Sequence, residues 1–163
     1  MIYVYTRRLV KWWKRCLLLS VATLILLQGL VGLKLVKVCG NSMASSFHDG
    51  EIVASITICD PTKVQRGDVV TFYPEKRGSM TYIKRIIALP GETIEAKENS
   101  VLVDGREISY WHGTGTWGPV TVPSNAVFVL GDNRAASCDS RSLGCIPFSQ
   151  LCAKIIGKNV LLS

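Results

Sequence analysis

Residues 16–33 run for 18 positions without a charge, and from residue 39 onward apolar positions come in short runs separated by turn residues. The first pattern predicts a helix of roughly 27 Å, close to the hydrocarbon thickness of a bilayer. The second predicts strands. Glu51 to Ile58 reads as one, Gly67 to Tyr73 as another after the Arg66-Gly67 turn, and Tyr82 to Leu89 as a third, stopped by Pro90-Gly91. Thr93 to Lys97 follows, and Ser100 to Ile108 is a hairpin turning on Asp104-Gly105, the strongest short-range signal of its kind. Tyr110 to Pro119 reads as an irregular loop, Pro147 to Cys152 admits a helical turn, and Val120 to Val122, Ala126 to Leu130 and Lys154 to Leu162 complete a mainly antiparallel β-domain. Neither repeats nor low-complexity tracts interrupt it.

One predicted strand carries an unexpected residue. Side chains alternate between faces along a strand, so Met80, Tyr82, Lys84, Ile86 and Ala88 share one face, with a lysine in the middle. Withdrawing an ammonium from water disfavours its charged form and lowers its pKa. A lysine that snorkels along an edge would stay charged. The strand alone leaves both readings open.

Composition changes the picture through its distribution. A hydrophobic content of 48% excludes disorder, and the net charge of +7 at first suggests a nucleic-acid partner. However, residues 1–37 hold Arg7, Arg8, Lys11, Lys14, Arg15, Lys34 and Lys37 and no acidic residue, while the other 12 basic residues are matched by all 12 acidic ones. The surplus belongs to the N-terminal segment. Five basic residues precede the charge-free run, two follow it, and Trp12 and Trp13 sit where interfacial aromatics belong, so the N-terminus is expected to be cytoplasmic and the body exported. A cleaved signal peptide is the rival. The run is long for that, and no small-x-small site follows it directly. The expected organisation is a basic cytoplasmic tail at 1–15, a transmembrane anchor at 16–36 and an extracytoplasmic β-rich domain at 37–163, with the lipid bilayer as partner and no nucleic acid.

The six cysteines form no C-x-x-C pair and only two histidines accompany them, so neither a metal site nor a cofactor is expected. Cys138 and Cys145 flank a polar loop, and their spacing admits either a disulfide or two free thiols.

Three stretches hold more polar, turn-forming residues than structure requires: Gly40-Asn41-Ser42-Met43, the strand carrying Lys84, and Gly131 through Gly144. None contains a histidine, which leaves a Ser-His-Asp triad little material. A serine hydroxyl beside a neutral amine is the other route to nucleophilic catalysis. Taken singly, Ser42 reads as a turn hydroxyl and the third stretch as a solvated, salt-bridged loop.

Taken together, the blocks resemble the type I signal peptidases, membrane-anchored Ser-Lys peptidases that remove signal peptides. The resemblance spans nearly the whole chain. After the basic tail and anchor come Asn41-Ser42-Met43, Arg66-Gly67-Asp68-Val69-Val70, Lys84-Arg85-Ile-Ile-Ala-Leu-Pro90-Gly91-Glu92, and Gly131-Asp132-Asn133-Arg134 through Ser137-x-Asp139-Ser140-Arg141-x-x-Gly144. It implies a mainly β fold, an antiparallel β-sheet catalytic domain of signal-peptidase type with one N-terminal transmembrane helix. It implies Ser42 as nucleophile, Lys84 as general base and passage through an acyl-enzyme. Ser137 matches the hydroxyl that orients the lysine, while Asp139 with Arg141 and Asp132 with Arg85 match charged pairs that hold the loop against the catalytic strand. The implied partners are signal-peptide-bearing preproteins cut after small-x-small sites, with a monomer as the default state. Tyr110, Trp111 and Trp117 would reach the headgroup region or else pack on the sheet.

The departures bear on rate. The family usually has a proline two residues after the residue matching Met43, where this chain reads Ala44-Ser45-Ser46-Phe47, and losing it frees the backbone beside the nucleophile. Many bacterial members carry an oxyanion-hole serine at the position of Gly40, although glycine occurs there in the organellar branch. The Ser42 backbone N–H remains a donor, and Asn41 is the candidate second one. Two other readings stay open: a related Ser-Lys processing peptidase with one dedicated substrate, and a non-catalytic anchored β-domain that binds exported peptides.

Overall fold

A computed structural model describes residues 2–74, 80–98, 100–112 and 115–158; side chains at 2–10, 27, 28, 30, 31, 109–112 and 158 are outside the described set. Its contacts divide the chain into residues 1–34 and 35–163.

The first unit is helix α1, Ile2–Val31. Leu17, Leu18, Leu19, Leu24, Ile25 and Leu26 on it are each more than 60% exposed. Among the described residues no helix is long and apolar enough to cross a membrane.

The second unit is built from β-strands, paired antiparallel wherever their register is described. In chain order these are β1 (Leu33–Lys37), β2 (Ile52–Thr57), β3 (Val69–Phe72), β4 (Tyr82–Ala88), β5 (Thr93–Lys97), β6 (Ser100–Val103), β7 (Arg106–His112), β8 (Trp117–Thr121), β9 (Ala126–Leu130), β10 (Ile146–Pro147) and β11 (Leu151–Lys158). They form a seven-stranded sheet in the order β1-β2-β11-β3-β4-β9-β10 and a four-stranded sheet in the order β7-β6-β5-β8. The Asp104-Gly105 hairpin forms as its turn chemistry requires, with Val103 opposite Arg106 and Asp104 in the left-handed region at φ 51°.

Strand β4 lies between β3 and β9 and is covered on both faces. Ile83 packs with Val38, Met43 and Phe47, Ile86 packs with Val70 and Phe72, and Ile87 and Ala88 both join the cluster around Phe128. The strict alternation expected from Met80 to Ala88 breaks between Ile86 and Ala88, where the register with β9 shifts. Met80, at the other end, is exposed.

One expectation needs revision, and two open alternatives are decided. The segment 110–119 is not one irregular loop, because β7 extends to His112 and β8 starts at Trp117. Of the two readings for Trp117, packing on the sheet holds: its ring is partly buried and stacks on Phe128 at 5.5 Å against the core, while the side chains of Tyr110 and Trp111 are outside the described residues. Of the two readings for Cys138 and Cys145, free thiols hold. The expected strand to Leu162 is described only as far as Lys158.

Candidate active site

Ser42 sits in a tight turn whose framework is apolar. The Met43 side chain is fully buried among Val38, Phe47, Val53, Val69, Ile83 and Ile155. Its carbonyl accepts from the N–H groups of Ser46 (2.8 Å) and Phe47 (2.7 Å), and Phe47 is itself buried. These contacts hold the turn where the family's proline is missing. Ser46 Oγ is also held, accepting from Arg85 Nη2 at 3.0 Å. On the other side Gly40 adopts φ +86°, with its N–H donating to Asp49 Oδ1 at 2.7 Å. That backbone conformation suits glycine and strains any residue with a Cβ.

Lys84, on β4, is 2% exposed. Its Nζ lies 2.7 Å from Ser42 Oγ and 2.8 Å from the Ile83 carbonyl oxygen, to which it donates. Burial pushes the Lys84 pKa below its usual value, while Asp139, Cys138 and Asp132 pull it back up in part. The lysine reading left open by the strand pattern is thus resolved toward a buried amine. Such an amine, when neutral, can take a proton from a hydroxyl at this distance.

The loop after β9 closes the site. Gly131 has no space for a side chain: a Cβ there would fall on Ser137 Oγ and 2.7 Å from the Ser42 carbonyl oxygen. Asn133 clamps the nucleophile's segment, its N–H donating to Ser42 O (3.0 Å) and its Nδ2 to Asn41 O (3.0 Å). Asp139 is fully buried and caps the short helix α2, Ser140–Leu143. Its carboxylate accepts from Arg141 Nε (2.9 Å) and Nη2 (3.0 Å) and from the Gly131 N–H (3.0 Å). Burial alone would raise the Asp139 pKa; these hydrogen bonds outweigh it and hold the carboxyl below its ordinary range. Arg85 makes a two-pronged ion pair with Asp132, Nε to Oδ1 at 2.9 Å and Nη2 to Oδ2 at 2.5 Å, and donates to Gly67 O at 2.9 Å. Both charged pairs expected from sequence therefore form.

Ser137 is placed differently from Asp139 and Arg141. Its hydroxyl is buried, with no hydrogen-bond partner among the described residues, and neither Lys84 contact is with it. It lies close enough to Asp139 to favour that carboxylate's charged form, although the geometry falls short of a hydrogen bond. Asn41 is exposed beside Ser42. Gly131, Asn133 and Ser46 were not singled out by sequence reasoning as site residues. Gly131 and Asn133 belong to a recognised block, but the contacts that tie them to the segment of Ser42 reach about ninety positions along the chain.

Ser42 opens onto a cleft of about 560 Å³. Residues 36–42 form one wall and residues 80–83 another, with Thr71, Ala136 and Cys138 completing the lining. Among the described residues no group of His, Cys, Asp and Glu could hold a metal ion.

A hydroxyl paired with a desolvated amine in an open cleft is an arrangement suited to a serine hydrolase. Comparison with known proteins makes the class specific: the family described as signal peptidase, peptidase S26, matches residues 9–160, and the chain belongs to it. It is accordingly a serine peptidase. It is 31% identical over 146 residues to signal peptidase I S of Bacillus subtilis, covering 80% of this chain and 77% of that protein. It is 33% identical over 145 residues to signal peptidase I of Bacillus licheniformis, with the same shares covered. A solved signal peptidase I from Enterococcus faecalis is 31% identical, with a TM-score of 0.47 over 55% of this chain and 93% of that one.

Proposed function

We propose that the protein is a membrane-anchored signal peptidase that cleaves exported preproteins after small-x-small sites, with Ser42 as nucleophile and Lys84 as general base. The observation that carries this reading is the 2.7 Å contact between Ser42 Oγ and an amine that is only 2% exposed. In the cycle, the neutral Lys84 amine takes the Ser42 proton as Oγ attacks the scissile carbonyl, then delivers it to the departing amine. Water, activated by the same lysine, releases the acyl group. Backbone N–H groups beside Ser42, with Asn41 as a second candidate donor, face the developing oxyanion. Asp139 with Arg141, and Asp132 with Arg85, position the loop and β4 so that the dyad keeps its spacing. Ser137 is the hydroxyl available to steady Lys84 once its Ser42 partner is acylated.

The substrate binds as an extended segment between residues 36–42 and 80–83, a mode in which backbone pairing gives affinity and pockets for alternate side chains give selectivity. The anchor is the charge-free run at 16–33, supported by the helical conformation through Val31 and the exposed aliphatic side chains of α1. The basic residues before it orient the N-terminus to the cytoplasm and the β-domain to the far side.

Purified protein in detergent, incubated with a precursor whose signal ends in Ala-x-Ala, should yield mature product cut after the second alanine. Ser42→Ala and Lys84→Met should yield none. Cleavage by either variant would reject the dyad. Binding of the precursor without cleavage by the wild type would favour the peptide-binding reading instead.

A further inference from the structure

The peptidase reading uses the hydroxyl and the amine of the cleft but not its sulfur. Two of the six cysteines line this cleft: Cys39, three residues before Ser42, and Cys138, between Ser137 and Asp139. Both are exposed, and both are free thiols. They come from chain segments about a hundred positions apart that both line this cleft. A charge on the Cys138 sulfur favours the ammonium form of Lys84, so the two side chains are within electrostatic reach of each other.

We propose that Cys39 and Cys138 form a thiol-modification site within the substrate cleft, at which a low-molecular-weight disulfide caps the sulfur and shuts the peptidase off reversibly. The inference rests on the reading of the cleft as the substrate site. In the reaction a cysteine thiolate attacks one sulfur of the small disulfide; a new sulfur–sulfur bond forms as the old one breaks, and the departing thiolate takes up the proton the cysteine lost. The small disulfide is the oxidant, and a dithiol reverses the step. The cap closes the cleft by volume. A tripeptide-sized adduct is comparable with the roughly 560 Å³ available, and it would occupy the space between residues 36–42 and 80–83 that an extended substrate needs.

The full chain in detergent would be treated with glutathione disulfide, adducts mapped by mass spectrometry, and precursor cleavage measured before and after. The wild type should acquire adducts at Cys39 and Cys138 and lose roughly a hundredfold in rate, the scale of loss when substrate is kept from its reacting position. Dithiothreitol should restore it. The Cys39→Ser/Cys138→Ser double variant, compared with its own untreated sample, should keep its rate. Adducts at both sulfurs with undiminished wild-type cleavage, or an equal loss in the double variant, would overturn the proposal. A second measurement needs no turnover. In Ser42→Ala, a peptide ending in a small-x-small sequence should slow adduct formation at both cysteines, and equal rates with and without the peptide would also overturn it. Absence of cleavage by the untreated wild type would count against the peptidase reading, and peptide protection would then decide the thiol site separately.

Discussion

Ser137 fills the space beside Gly131: a Cβ on the glycine would clash with the serine hydroxyl. The same absent Cβ would also press on the carbonyl of Ser42, so the loop after β9 reaches the nucleophile through a point where even one methyl group is excluded. Gly131→Ala should therefore displace both, lowering stability by about 1–3 kcal/mol through overpacking. Its rate should fall on the order of a hundredfold through misplacement of Ser42. Adding Ser137→Gly should recover part of the stability, since it removes the hydroxyl but leaves the clash with the Ser42 carbonyl. Thermal melts and precursor cleavage on the single and double variants would check this.

Asp139 links that loop to acid stability. Its carboxyl is held below the ordinary range despite burial, because Arg141 and the Gly131 N–H bond its charged form. The stabilisation is present above the unfolded value of about 3.9 and is lost as pH falls through the lower folded value. Asp139→Asn should cost about 1.5–3 kcal/mol at neutral pH, the range for hydrogen bonds to a charged group. It should also flatten the acid limb of the stability curve below about pH 4. Denaturant titrations from pH 2 to pH 7 would measure both effects.

Gly40 marks a departure from the family pattern, and the structure sets the outcome of reversing it. At φ +86° a serine there is strained by roughly 1–2 kcal/mol. Gly40→Ser is thus expected to be less stable than the wild type and no faster in cleavage. A rise in rate would mean that the segment relaxes to place the new hydroxyl near the oxyanion.

Much of the fold was legible because its signals are local. The Asp104-Gly105 hairpin, and strand β4 ending before Pro90-Gly91, follow from turn chemistry and alternation within a few residues. Strand β1 was missed because Leu33–Lys37 continues directly from the apolar run of α1, without a turn cluster to separate them. Segments β7 and β8 were misread because glycines and tryptophans obscure alternation there. The Ser42–Lys84 contact pairs residues 42 positions apart, and nothing in either strand or turn announces the other. It could be anticipated only from the order of four blocks along the chain. The clamp by Asn133 and the bond from Arg85 to Ser46 lay beyond even that, because backbone carbonyls and turn hydroxyls accept from any suitably placed donor.

Lys84 couples activity to stability in opposite senses. A buried amine that resists charging lowers the stability of the fold at pH values below the unfolded lysine pKa. Lys84→Met keeps most of the side-chain volume and removes that cost. It should abolish cleavage while making the domain more stable by about 1 kcal/mol or more. For a domain of this size that is about 2–4 °C in Tm per kcal/mol. A destabilised Lys84→Met would mean that the contacts of Nζ with Ser42 and Ile83 O outweigh its desolvation.

The most direct test of the central claim is the pH dependence of kcat/KM for precursor cleavage by the wild type, which reports the titration of the free enzyme's essential base. Lys84 is pushed below its usual value, chiefly by burial, so the rate should rise with pH through a single ionisation and level off below about 10.4, the reference value for lysine. A rate still rising at pH 10 and beyond would contradict the account, because the amine 2.7 Å from Ser42 would then be an ordinary charged lysine in the working range.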